Sequence, residues 1–273
     1  MTYFFVGGSQ RAGTTLLQSV ICSDDTTNPL LQEAIYFRSI ISTYQLGKTI
    51  LTTKLKDYFT NLEELRNFNA TWAKAFLEHT LHRYAPIKHL VLKEPHLTML
   101  FPEIYELISD SKFLIIVRDP RDTIASMIEV GERLASQGYQ DIFTTMFTTR
   151  DIKQLCNHYK SFYAPSIHYQ IPDFQNQLLY IKYELLVSNP ESEIDRLKSF
   201  TGLTLNKFNQ TATWQNSQID FSATSPDYNP WYTELYGKAI SATQVNRYHQ
   251  ILTETEISLI EQECADALQI FGY

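Results

Sequence analysis

The sequence predicts an α/β protein: three layers, with a central, mostly parallel sheet flanked by helices. Two observations carry this. First, four short runs, Tyr3–Val6, His89–Lys93, Lys112–Val117 and Leu178–Lys182, are apolar nearly throughout. Strands with that pattern lie in a parallel sheet buried on both faces. Second, the runs are separated by helical stretches, and such alternation builds βαβ units. The helical stretches are Thr14–Ser23, a long region 34–84, Leu97–Ile108, Arg121–Leu134 and Asp151–Tyr169. Thr253-Glu254-Thr255-Glu256 reads as a capped start for a final helix running to Ile270. Residues 204–236, rich in Asn, Thr, Ser and Pro, read as irregular. With no repeat, low-complexity tract or linker, the expectation is a single domain over residues 1–273.

Composition excludes several classes of function. Charged residues are 19% and apolar residues 44%, so the chain can bury a core. The net charge of −7 comes with no Lys/Arg cluster, which argues against a nucleic-acid partner. No apolar run is long enough to span a membrane, and the first residues read as a strand and not a signal peptide. Cys22, Cys156 and Cys264 form no CxxC pair or disulfide framework, which fits a reducing cytoplasm. The seven histidines are scattered, so no metal site is expected. Excess acidic charge favours neutral or cationic acceptor molecules over anionic ones.

Gly7-Gly8-Ser9-Gln10-Arg11-Ala12-Gly13-Thr14-Thr15 follows the first strand and opens a helix. Gly8, Gly13 and Thr15 occupy the glycine and hydroxyl positions of G-x-x-x-x-G-K-[ST], so the fold is of the P-loop type. Glycines let successive N–H groups, from Gly8 through Ser9, Gln10, Arg11 and Ala12 to Gly13, curl around an anion. The helix N-terminus at Thr14 and Thr15 adds its dipole. Thr14 replaces the lysine that nucleoside triphosphatases use, and Arg11 is the strongest cation of the loop. The plainer alternative is a glycine-rich turn with no ligand.

A second anion site follows the third strand, in Arg118-Asp119-Pro120-Arg121-Asp122-Thr123-Ile124-Ala125-Ser126. Arg118 leaves the strand tip and Ser126 projects from the next helix, so the pair can grip a phosphate. Asp119 as a magnesium ligand is the alternative. R-A-G-T-T-L after the first strand, together with V-R-D-P-R-x-x-x-x-S, resembles the two phosphate motifs of the PAPS-dependent sulfotransferases. The bacterial and tyrosylprotein branches, with arginine in the loop, are the most similar. The resemblance implies 3′-phosphoadenylyl sulfate (PAPS) as donor, adenosine 3′,5′-bisphosphate (PAP) as product, and no metal. It also implies weaker matches. Tyr183, in Y-E-x-L, places the adenine. Arg247, in Val245-Asn246-Arg247-Tyr248, closes over the donor, with Lys238 and Ser241 as companions. Val130 stands where the tyrosylprotein branch has a further arginine.

Sulfuryl transfer requires an activated acceptor and charge stabilisation in flight. Lys93, at a strand's carboxyl tip, faces the ligand crevice of an open α/β sheet. In K-x-P it resembles the family's lysine on the transferred group, with Arg11 beside it. The base is either Glu33, at the spacing of the tyrosylprotein branch, or His96, since imidazole titrates near neutral pH. The acceptor expected is a small molecule presenting a hydroxyl, amine or guanidine. The acceptor side would draw on residues 34–84 and on Gly131–Arg150, with Tyr139, Phe143 and Phe147. Two other functions fit the fold: a kinase-like phosphotransferase, and a non-catalytic nucleotide-binding module.

Overall fold

The computed structural model describes residues 1–210, 214, 216–221 and 229–273. Four strands, β1 (Thr2–Gly7), β2 (His89–Lys93), β3 (Ser111–Val117) and β4 (Leu178–Lys182), form one sheet in the order β2-β1-β3-β4. Every pairing is parallel; Val6 lies beside both Lys93 and Leu114, and Val117 beside Lys182. The carboxyl tips of all four strands therefore share one edge.

The apolar runs are continuous because both faces are covered. Tyr3, Phe5, Leu92, Phe113 and Ile115 point into one core. Phe4, Val6, Val91, Leu114 and Ile116 point into the other. This period-two division puts helices on each side, and the three layers follow.

The helices are α1 (Thr14–Ile21), α2 (Ile35–Ile50), α3 (Leu62–Arg83), α4 (Phe101–Leu107), α5 (Pro120–Ser136) and α6 (Ile142–Thr148). After them come α7 (Ile152–His168), α8 (Pro172–Gln175), α9 (Tyr183–Ser188), α10 (Pro190–Thr201), α11 (Glu254–Glu263) and α12 (Ala265–Phe271). Side-chain caps set several starts: Asn61 for α3, Asp119 for α5, Asp141 for α6 and Asp151 for α7. Thr253 and Glu256 form the expected capping box.

Two expectations change in detail, and one helix is unforeseen. Region 34–84 is two helices, α2 and α3, joined through turns at 51–61. The stretch from Leu97 begins as a 3-10 turn, Pro95–Leu100, before α4. Helix α6 had no sequence signal, because threonine is a weak helix former. Packing supplies what propensity lacks: a Cβ at Gly131 would lie 2.5 Å from Phe147 Cβ, so α5 and α6 meet across a bare backbone. The described part of 204–236 is irregular, as expected, with a bridge between Leu30 and Ser217. No helix among the described residues is long and apolar enough to cross a membrane.

Asp24, just past α1, ties that helix to the segment after α10. It accepts from Thr26 N–H (2.9 Å) and hydroxyl (2.6 Å), and from Leu205 N–H (2.9 Å). It also accepts from Thr204 N–H (2.9 Å) and hydroxyl (3.0 Å). Burial pushes its pKa up, but these hydrogen bonds outweigh that and hold it at about 2, below the ordinary 3.8. A depressed folded pKa contributes stability above the unfolded value, and that stability is lost as pH falls through the folded one. Asp24→Asn should therefore cost about 1–3 kcal/mol at neutral pH. The difference should narrow between pH 3.8 and about 2, as read from urea midpoints across that range.

Candidate active site

The loop after β1 is shaped by bonds to its neighbours. Gly8 (φ 142°) passes so close to β3 that a Cβ would lie 2.4 Å from the Ile116 carbonyl oxygen. Its N–H donates to Thr98 Oγ1 at 2.7 Å, and the Ser9 N–H donates to the Tyr163 hydroxyl at 3.1 Å. Ala12 N–H donates to the Ser9 carbonyl at 3.1 Å. These three amides are committed to the loop's own shape. The amides of Gly13, Thr14 and Thr15 have no acceptor among the described residues. They open α1, whose first turn carries no acidic residue, so the free N–H groups and the helix dipole favour an anion.

Arg118 at the tip of β3 is 6% exposed. Its Nη1 donates to the Arg11 carbonyl at 3.1 Å and its Nη2 to the Gln244 carbonyl at 2.6 Å. Its Nε is buried with no partner among the described residues. The guanidinium lies 4.8 Å from the Tyr183 ring centroid. Tyr183 in turn lies against Gly13 (φ 102°), where a Cβ would come within 2.8 Å of the ring. Arg11 Nε donates to Ser126 Oγ at 3.2 Å, and its Nη1 to the Trp231 carbonyl at 2.5 Å. The two motifs, far apart in sequence, are thus bonded to each other. Burial is the main cause lowering the Arg11 pKa; Arg133 and Arg118 add like-charge repulsion, while Tyr236 and Glu129 act the other way. A bound anion would relieve that repulsion.

Two clefts flank this junction. One, of about 100 Å³, is lined by Arg11, Gly13, Thr14, Thr15, Arg118, Ser126, Tyr183, Lys238 and Ser241 among others. The other, of about 470 Å³, is lined by Gln10, Arg11, Glu33, Lys93 and His96, with Asp141, Phe143, Trp231 and Tyr232. Arg11, Thr14, Thr15 and Tyr236 belong to both. In the second cleft, Lys93 is 4% exposed and its Nζ donates to Glu33 Oε1 at 2.9 Å. The Lys93 carbonyl accepts from Ala34 N–H at 2.9 Å, which fixes the Glu33 segment against β2. His96 Nδ1 faces Glu94 Oε1 at 2.9 Å, and Arg38 reaches the same carboxylate at 3.5 Å.

Other expected residues lie elsewhere. Arg247 is outside both linings, with Nη2 on Glu129 at 2.6 Å and Nη1 on Gln244 Oε1 at 2.9 Å. Asn246 beside it holds φ 60°, a left-handed geometry that asparagine tolerates. The amides of Asn246 and Tyr248 donate to Asp122, which ties this segment to α5. The Asp119 carboxylate is taken up by Arg121 at 2.6 Å and by capping α5, so it is not presented as a magnesium ligand. Phe143 lines the second cleft; Phe147 is wholly buried behind it, and Tyr139 is exposed outside it. From α2, Ile35 and Arg38 line the cleft. Four contributors were not legible in the sequence: Tyr163, Trp231, Tyr236 and Gln244. They lie on α7 or in an aperiodic segment, and no motif marks them.

An open parallel sheet whose strand tips carry a glycine-bearing loop and two arginine clusters defines a phosphate-loop-type α/β fold. The chain belongs to the sulfotransferase family, whose model matches residues 4–207. It is 26% identical to mouse (Mus musculus) carbohydrate sulfotransferase 5 over 194 residues, 68% of this chain and 48% of that protein. It is 24% identical to a Drosophila melanogaster protein-tyrosine sulfotransferase over 214 residues, 76% of this chain and 39% of that one. The chain thus spans half or less of the length of these two relatives. Among solved structures, the sulfotransferase domain of the curacin biosynthetic pathway shares the fold. Its TM-score is 0.54 at 16% identity, over 97% of both chains.

The contact between Gly13 and Tyr183 gives a test. Gly13→Ala should destabilise the protein by about 1–3 kcal/mol through strain and overlap. In a Tyr183→Ala background the same substitution should cost at least about 0.5 kcal/mol less. A double-mutant cycle by urea unfolding reads the coupling.

Proposed function

We propose that the chain moves a sulfuryl group from PAPS to a hydroxyl, amine or guanidine of a small-molecule acceptor by in-line displacement, with PAP as the product. The observation that carries this is the pair of anion sites on one cleft, bonded through Arg11 and Ser126 and opening at Thr14 and Thr15 onto a second cleft. The residues fit a nucleotide with phosphate at both ends. Gly13, Thr14 and Thr15 offer free amides at one end, and Arg118 offers a buried, unpaired Nε at the other. Gly8, Ser9 and Ala12 hold the loop in shape, Gln10 and Arg11 border the junction, and Ser126, Lys238 and Ser241 complete the second site. Tyr183 would stack the adenine. Arg247 would join only by leaving Glu129.

The donor, when bound, supplies an activated sulfuryl group. The chain supplies the rest. Lys93 and Arg11 place positive charge where negative charge grows. Glu33, with its side chain 41% exposed and paired to Lys93, stands in the acceptor cleft and takes the acceptor's proton. His96 is the second choice, since its Nδ1 is occupied by Glu94. The aromatic walls Phe143, Trp231 and Tyr232, with Asp141, support a neutral or cationic small acceptor. The cysteines at 22, 156 and 264 are free and buried, which supports a reducing cytoplasm. A kinase-like reaction is less well supported, since position 14 lacks lysine and Asp119 is committed to Arg121.

Calorimetry should show PAP binding and weak or no binding of ATP–magnesium. Labelled PAPS with a panel of phenols, alcohols, amines and guanidines should reveal the acceptor. Lys93→Ala should keep PAP affinity within a few-fold yet lower turnover roughly 10²–10³-fold. Glu33→Gln should lower it about 10²-fold or more. An unimpaired Glu33→Gln enzyme would move the base to His96, and an unimpaired Lys93→Ala enzyme would overturn the mechanism.

A further inference from the structure

We propose that the Gln10 side chain contacts the sulfuryl group in transit and that His158 is the positioning residue that aims it; this rests on the donor reading above. Arg11 is the loop cation nearest the junction, but its Nε and Nη1 are committed to Ser126 and the Trp231 carbonyl. Gln10, the next residue in the loop, is placed to offer the junction a further donor. It lines the acceptor cleft with Arg11, Thr14 and Lys93 and is 9% exposed.

A primary amide has an acceptor end and a donor end in one plane. Gln10 Oε1 accepts from His158 Nε2 at 2.9 Å. Filling that end turns the amide nitrogen the other way. The nitrogen has no acceptor among the described residues, and it is not among the atoms sealed from solvent. It is a free donor at the cleft wall, and it adds no charge beside Arg11 and Lys93.

His158 is itself held firmly. Its ring packs edge-on against Phe162 (5.1 Å, 85°) and Phe147 (5.9 Å), and Phe143 lies 6.1 Å away. Burial, and then His96, lowers its pKa to about 4, so the ring is neutral at physiological pH. A neutral ring with Nε2 against an amide oxygen carries its proton there, which makes it a donor to Gln10. His158 sits on α7, the helix that also supplies Tyr163 to the Ser9 amide. One helix thus sets both the loop backbone and the loop side chain.

PAPS and PAP differ only by the sulfuryl group, so comparing their affinities isolates this contact without knowledge of the acceptor. By calorimetry, Gln10→Met should leave the Kd of PAP within about twofold and raise the Kd of PAPS about tenfold, the size of one hydrogen bond to a charged group. His158→Phe, which keeps the ring packing, should shift the PAPS-to-PAP ratio in the same direction. His158→Gln, which keeps a donor, should restore most of it. An unchanged ratio in Gln10→Met would overturn the proposal. A shift in Gln10→Met with none in His158→Phe would overturn the part given to His158. Failure of the unsubstituted protein to bind PAP would instead overturn the donor reading on which this rests.

Discussion

Two arginines gathered at the tips of β1 and β3 are the constraint on which the site depends. Arg11 and Arg118 lie close together, and their guanidinium groups are satisfied mostly by the carbonyl oxygens of Arg11, Trp231 and Gln244 and by the Ser126 hydroxyl. Carbonyls satisfy hydrogen bonds without cancelling charge. The pair is thus held in geometry, with Asp122, 3.9 Å from Arg118 Nη2, supplying part of the counter-charge and the rest left for an anionic ligand. Had Glu or Asp occupied those acceptor positions, the cluster would be a structural ion pair with little left to offer.

The arrangement is supported from the side opposite the ligand. Helix α7 runs beneath the loop. Tyr163 receives the Ser9 amide, Tyr159 donates to the Arg118 carbonyl at 2.9 Å, and His158 takes the Gln10 amide. Three side chains within two turns of one helix thereby register both arginine clusters to the same rigid body. Burial raises the pKa of both tyrosines. Their hydroxyls stay protonated and serve as fixed donors and acceptors, not as acids. Tyr183 completes the frame from the other side, wedged between the Arg118 guanidinium and the bare backbone of Gly13.

The acceptor side is built differently. Two ion pairs, Lys93 with Glu33 and Arg38 with Glu94, stand in it beside Arg11 and Asp141, and part of its wall is aromatic. The pairing of Lys93 with Glu33 joins the proposed electrophilic group and the proposed base in one contact. A ligand drawing Lys93 away would free the Glu33 carboxylate in the same movement. That coupling offers a physical reason to keep the two on adjacent segments, β2 and the strap before α2.

The sequence alone determined the strands, the parallel sheet and the two loops at the tips of β1 and β3. Each is a local pattern: an unbroken apolar run needs two covered faces, and a glycine-spaced turn opening a helix needs no distant partner. It also singled out Lys93 and His96 from the tip of β2, and Glu33 from its spacing after the loop. Only the tertiary structure decided which groups remain free to act. The amides of Gly8, Ser9 and Ala12 proved to be committed to the loop, Arg247 to Glu129, and Asp119 to Arg121. Trp231, Tyr236, Gln244 and His158 came to the site through long-range closure. Whether a hydrogen-bonding group is free depends on every partner within 3 Å or so, and those partners come from parts of the chain that no local pattern connects.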